Sequence, residues 1–267
     1  MGLQAKDRHR LVEFIFQRQK EDGAFAACPS LPATVADTYY ALSILKMLDN
    51  CYGNQALFSR INGEKIQIFV RAHVPIRHSL PLRVRFFLHE IFRMVTKDLA
   101  ADGEALFYVD PCDDLDVGKR LSYENYYYVG QLAGDFQKSF QVPDFHLADC
   151  TSRDVYFYLL SFAEDAKKRA AEIGDWLKRC QNHDGGFGFF PGTTSYIEYS
   201  DYCLSALSSM GQPPLRVQQA GQYILACRTG SGGFSRSTKA APFLDASCHA
   251  LHGLSCLQHL VTGRLRP

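Results

Sequence analysis

Gln181-Asn182-His183-Asp184-Gly185-Gly186-Phe187, or QNHDGGF, decides the fold of this chain because the phrase comes back. Gln19 to Phe25 reads QKEDGAF, Arg228 to Phe234 reads RTGSGGF, and Gly134-Asp135-Phe136 is a weaker copy. An amphipathic helical run precedes each phrase, such as Leu11-Val12-Phe14-Ile15 or Ile173-Trp176-Leu177-Cys180. An apolar helix follows each after a loop: DTYYALSILKML, DCTSRDVYFYLLSF, SDYCLSALSSMG and DASCHALHGLSCL. A Gly in the phrase allows backbone geometry closed to other residues, and the Phe plugs the gap between neighbouring helix pairs. The following helix is apolar nearly all round, as a helix buried in an inner layer must be.

The spacing is regular. From the repeat Phe to the Asp opening the next helix the chain runs 12, 13, 14 and 11 residues, ending at Asp37, Asp149, Asp201 and Asp245. Those four acids therefore read as equivalent, each an N-cap for its inner helix. Successive Phe residues in the second half stand 51 and 47 apart, whereas 111 residues separate Phe25 from Phe136. The long gap has room for further, degenerate units, with GEKIQIFVRAHV and LPLRVRFFLHEIFRMV as the helices of one. Helix pairs of roughly 45 residues fit a helical repeat architecture. An all-α fold in one domain, 1–267, is expected.

Composition narrows the function classes. With 29 basic and 28 acidic side chains the net charge is +1, which gives no electrostatic footprint for nucleic acid. No stretch approaches the 18 or so apolar residues of a membrane span, so contact with a membrane would be peripheral. The polar start MGLQAKDRHRLVEF does not read as a signal peptide. Nine cysteines without C-x-x-C spacing read as buried thiols of a reducing compartment, and a cytoplasmic monomer is the expectation.

The QxxDGGF phrase followed by an outer–inner helix pair resembles the repeat of class II terpene cyclases and of protein prenyltransferase β subunits. The resemblance implies a single α/α toroid around an apolar cavity, with an isoprenoid as small-molecule substrate. A class II cyclase protonates an alkene with a carboxyl kept neutral, and crowding carboxylates is the direct way to keep one protonated. Asp110-Pro-Cys-Asp113-Asp114-Leu-Asp116 is the densest cluster and resembles the DxDD acid motif, with its first Asp one residue too far upstream. Asp149, in ADCTS, resembles the DCT acid motif of oxidosqualene cyclases. Asp110, Asp113, Asp114 and Asp149 are thus the candidate catalytic acids. Tyr39, Tyr127, Tyr156 and Phe157 are candidate cation-stabilising walls, since aromatic faces attract passing carbocations. Arg83 and Arg85, within a basic run that includes Arg71, His73, Arg77 and His78, are candidates to hold a diphosphate or carboxylate head group.

Chain length favours the single-domain class II cyclases of the merosterolic acid synthase type. That resemblance implies metal-free, cofactor-free closure of a polyprenyl chain carried on an aromatic acid, giving a fused-ring meroterpenoid. The alternative is the prenyltransferase branch, where an Asp-x-Cys pair and a later His hold zinc. Asp201-Tyr202-Cys203 matches the pair, but Ala246 stands where the His belongs, and His249 and His252 lie further along. A non-catalytic isoprenoid-binding toroid is a third reading. No GCGEQ-like thioester, phosphate loop or HExxH occurs.

Overall fold

The computed structural model describes residues 2–52, 57–96, 121–133 and 142–263, and these are predominantly helical. They fall into two compact units, Phe16–Gln141 and Met1–Ile15 with Val142–Pro267. Among the described residues no helix is long and apolar enough to cross a membrane.

The first helix, α1 (Ala5–Phe16), ends at the boundary between the units. The unit 16–141 then contains α2 (Val35–Tyr52), α3 (Gly63–Arg71), α4 (Leu82–Val95) and α5 (Tyr123–Leu132). Helix α4 packs on α2, α3 and α5. Helices α3 and α4 are the pair expected from GEKIQIFVRAHV and LPLRVRFFLHEIFRMV. The unit rich in C-terminal residues contains α6 (Ser152–Ser161), α7 (Ala163–Lys168), α8 (Ala170–Arg179), α9 (Ile197–Ser209), α10 (Val217–Ala226) and α11 (Leu244–Thr262). Here α9 lies against both α11 and α6. A two-residue ladder, Phe234–Ser235 with Pro242–Phe243, is the only named sheet among the described residues.

The three full repeat phrases share one set of backbone hydrogen bonds. Gly23, Gly185 and Gly232 have φ of 83°, 91° and 98°, a left-handed geometry that favours Gly. Phe25, Phe187 and Phe234 are fully buried, each contributing about 1.5–3 kcal/mol of apolar burial. Their backbone N–H groups, which cannot be left unpaired inside, donate to Thr38, Ser200 and Ser247 hydroxyls at 2.9–3.0 Å, always 13 residues on. This hydroxyl is the true register mark of the repeat, and it corrects the expectation about the acids. Relative to it Asp37 is one residue before, Asp201 one after and Asp245 two before, so the acids are not equivalent.

The N-cap role assigned to them is also corrected. Thr34 caps α2: its hydroxyl accepts from the Asp37 N–H at 3.0 Å and donates to the Asp37 carboxylate at 2.6 Å, so Asp37 supports the cap from the third helical position and is not the cap itself. Thr151, not Asp149, caps α6 in a reciprocal capping box with Asp154. The residues preceding α9 and α11, Tyr196 and Phe243, make no side-chain cap bond. Asp201 sits in the second turn of α9, where a carboxylate is too far along to reach the first N–H groups.

Each turn presses on the outer helix that follows in order. A Cβ on Gly23 would lie 3.0 Å from the Cβ of Lys65 in α3, and one on Gly185 would lie 2.2 Å from the Gln219 carbonyl in α10. One on Gly232 would lie 2.4 Å from the Arg10 carbonyl in α1, so the last turn packs on the first helix. Gln181 fixes the contact to α10: its amide donates to the Gly185 and Arg216 carbonyls and accepts from the Arg216 N–H. Arg228 does the corresponding work on α1 through an ion pair with Asp7.

Candidate functional site

Where α9 meets α11, polar groups gather in a wall that is otherwise apolar. Helix α9 supplies Asp201 and Ser205, one turn apart. Helix α11 supplies His249, His252 and Cys256, at i, i+3 and i+7, a spacing that puts all three on one helix face. Asp201 is 5% exposed and accepts at both oxygens: from His249 Nδ1 at 2.8 Å through Oδ2, and from His252 Nδ1 at 2.7 Å through Oδ1. A carboxylate only accepts, so both Nδ1 atoms carry a proton. Burial alone pushes the Asp201 carboxyl up, but the charge of His252 and the hydrogen bonds of both histidines outweigh it. The group is held well below the ordinary carboxylate range, hence ionised.

Ser205 lies at the middle of the cluster. Its hydroxyl donates to Asp201 Oδ1 at 3.1 Å and stands 3.2 Å from His252 Nδ1 and 3.3 Å from Cys256 Sγ. Cys256 is fully buried. The cluster opens on a cavity of 340 Å³ lined by Tyr156, Leu160, Ser205 and His252, among others, within the size range of small-ligand pockets. An aromatic wall continues from it: Tyr202 meets His249 at 5.3 Å, Tyr156 at 5.2 Å and Phe157 at 6.1 Å between ring centroids.

The residues expected from the sequence separate into distinct groups. Asp110, Asp113 and Asp114 lie outside the described residues, as does the Gly134-Asp135-Phe136 copy. Asp149 ends a short 3-10 turn, Leu147–Asp149, and is exposed. Tyr156 and Phe157 belong to the wall just described. In the unit 16–141, Tyr39 stacks on Phe87 at 4.3 Å and 11°, while Tyr127 packs edge-on against Phe86 at 5.6 Å. Burial, reinforced by the Glu90 charge, pushes the Tyr127 hydroxyl up to about 12, so it stays neutral. Arg83 is exposed at the rim of this group, its guanidinium bonded to the Tyr40 hydroxyl at 2.8 Å and 5.2 Å from the Phe87 centroid. Arg85 points inward and is 2% exposed. Elsewhere in the basic run Arg71 lies over Phe92, His73 pairs with the Phe69 carbonyl and Arg77 bonds the Val74 carbonyl.

The zinc set implied by the prenyltransferase resemblance does not assemble. Cys203 is fully buried, and its thiol, pushed well above its ordinary range by burial, is paired with Cys180 and Ser152. It thus faces α6 and α8 while Asp201 faces α11. Ala246, at the position of the family's His, is packed in the core at 1% exposure. His249 and His252, further along the helix, are the two histidines that reach Asp201. The 249-252-256 spacing marks a shared helix face, and the packing of α11 on α9 turns that face to Asp201.

Fold and site together define an all-α protein of helix-pair repeats with a polar cluster buried between two inner helices. The profile of the prenyltransferase alpha-alpha toroid domain family matches residues 1–75, 134–220 and 198–267, and the chain belongs to that family. Residues 76–133, where the repeat phrase could not be found, lie outside the three matches. No curated protein matches the chain.

Proposed function

We propose that this chain is an enzyme acting on a polyprenyl substrate, with the isoprenoid tail against the aromatic wall of Tyr156, Phe157 and Tyr202 and the reacting end beside the Asp201 cluster. The observation that carries this reading is the coincidence of an ionised, buried carboxylate, imidazoles and a buried thiol at the edge of a ligand-sized cavity. Such a constellation suits transfer of a prenyl group from its diphosphate to a thiol or hydroxyl acceptor: the acceptor gives up its proton, the new bond forms at the prenyl C1, and the C1–oxygen bond breaks to release inorganic diphosphate. It does not suit alkene protonation, because that step needs a neutral carboxyl and Asp201 is held as the anion. Asp149 is exposed and does not line this cavity.

Class II cyclisation is the second reading. The stacked Tyr39–Phe87 and Phe86–Tyr128 pairs favour it, since they offer faces for a carbocation. Its proton donor would be Asp110, Asp113 or Asp114, and its product a fused-ring meroterpenoid formed without metal or redox cofactor.

Two incubations separate the readings. Purified chain is given a prenyl diphosphate with a cysteine-terminal peptide, and separately a geranylgeranylated dihydroxybenzoate. Thioether formation lost in Asp201→Asn but kept in Asp113→Asn supports the transferase. Ring closure lost in Asp113→Asn but kept in Asp201→Asn replaces it with the cyclase. Reversible binding of both without conversion contradicts both and leaves a carrier.

A further inference from the structure

We infer that Asp201, His252 and Cys256 form a divalent-metal site suited to zinc, displaced along α11 from the position expected of Asp201-x-Cys203. One donor atom from each of the three lies within 4.8 Å of the other two. Carboxylate, imidazole and thiolate are ordinary zinc ligands, and three protein ligands leave a fourth position open. The open side is defined: His252 and Ser205 line the cavity, whereas Asp201 and Cys256 are sealed behind them.

Geometry and charge both favour occupancy. Oxygen and nitrogen ligands on a tetrahedral zinc stand about 3.3–3.5 Å apart. The Asp201–His252 pair is at 2.7 Å, so admitting the ion requires it to open by only about 0.6–0.8 Å. The metal takes the place of the proton between those two atoms, and the imidazole keeps one proton, moved to Nε2. Cys256 loses its proton to solvent as the metal–sulfur bond forms. One dication with one carboxylate and one thiolate is then neutral, so the occupied site buries no net charge. Ser205 marks the convergence point: its hydroxyl is 3.1–3.3 Å from all three donors and needs only a side-chain rotation to leave. His249, on the other oxygen of Asp201, is a positioning residue that holds the carboxylate for the ion.

The inference names what the cluster of the proposed site holds, and its test uses no isoprenoid, so either can fail alone. The full chain is stripped with chelator and titrated with Co²⁺ and Zn²⁺, following the thiolate-to-cobalt charge-transfer absorption and measuring bound metal. The expected result is one equivalent per chain with a charge-transfer band. Cys256→Ser removes the band, His249→Gln weakens binding by about 10–100-fold, and Cys203→Ser and Ser205→Ala keep the band. Far-UV circular dichroism identifies any variant that fails to fold; the Cys203→Ser and Cys256→Ser pair, each replacing sulfur by oxygen, then decides. A band lost in Cys203→Ser but kept in Cys256→Ser overturns the displaced site, and so does an absence of stoichiometric metal in the folded wild type.

Discussion

Replacing Gly185 and Gly192 by alanine, one at a time, tests whether the repeat turns are pressed onto the next helix. Both glycines have positive φ, 91° and 81°, so each alanine incurs the left-handed cost of about 1–2 kcal/mol. At Gly192 that is the whole effect, because nothing lies within 4 Å of the added Cβ. At Gly185 the Cβ lands 2.2 Å from the backbone carbonyl of Gln219 and 2.7 Å from its side chain. A carbonyl in the first turn of α10 cannot rotate away as a flexible side chain would. Overpacking of this kind costs a further 1–3 kcal/mol or so, giving a total of about 2–5 kcal/mol. Urea unfolding with an unchanged m value reads the difference directly as a shift in midpoint. Equal losses for the two variants would refute the packing of this turn on α10, and with it the repeat-to-repeat contact that builds the fold.

Other consequences are as direct. Ser200→Ala leaves the buried Phe187 N–H without its acceptor and is expected to cost about 1–3 kcal/mol. Ser200→Thr should recover most of that in the same unfolding assay, because Thr38 does this work in the first repeat. Phe187→Ala empties a fully buried site and should cost about 3–5 kcal/mol; a loss below 1 kcal/mol would mean the phenylalanine is no plug. Among the described cysteines, mass-spectrometric mapping after brief alkylation at pH 8 should find Cys28 first. The Ser30 hydroxyl stabilises its thiolate, whereas burial pushes Cys227 up to about 11 and shields it from reagent. Faster labelling of Cys227 than of Cys28 would contradict the packing around α10.

Helix pairs were legible in the sequence because a phrase with a physical reason at each position was repeated. Gly185 needs its φ, Phe187 needs its pocket, and the amphipathic runs before them need one apolar side. Even the degenerate pair at α3 and α4 could be placed from hydrophobic periodicity alone. The register of the inner helices was harder. Aspartates are conspicuous and served as landmarks, yet the group that actually recurs is a hydroxyl bonded to the Phe N–H. A hydrogen bond spanning 13 residues and a loop leaves no local pattern to read. The site was half legible for a related reason. Asp201 stands out in the sequence beside Cys203, but side chains two apart on a helix point to nearly opposite sides. Its real partners come from α11, 48 and 51 residues away. Their i, i+3, i+7 spacing shows a shared face, though only tertiary packing says what that face meets.

The central claim is that a polyprenyl substrate reacts beside the Asp201 cluster. A crystal structure with an unreactive prenyl diphosphate analogue tests it most directly. The account predicts the isoprenoid tail against Tyr156 and Tyr202, with its reactive carbon directed at the cavity edge formed by Ser205 and His252. An analogue bound with its reactive end away from His252, and the 340 Å³ cavity left without it, would contradict the account.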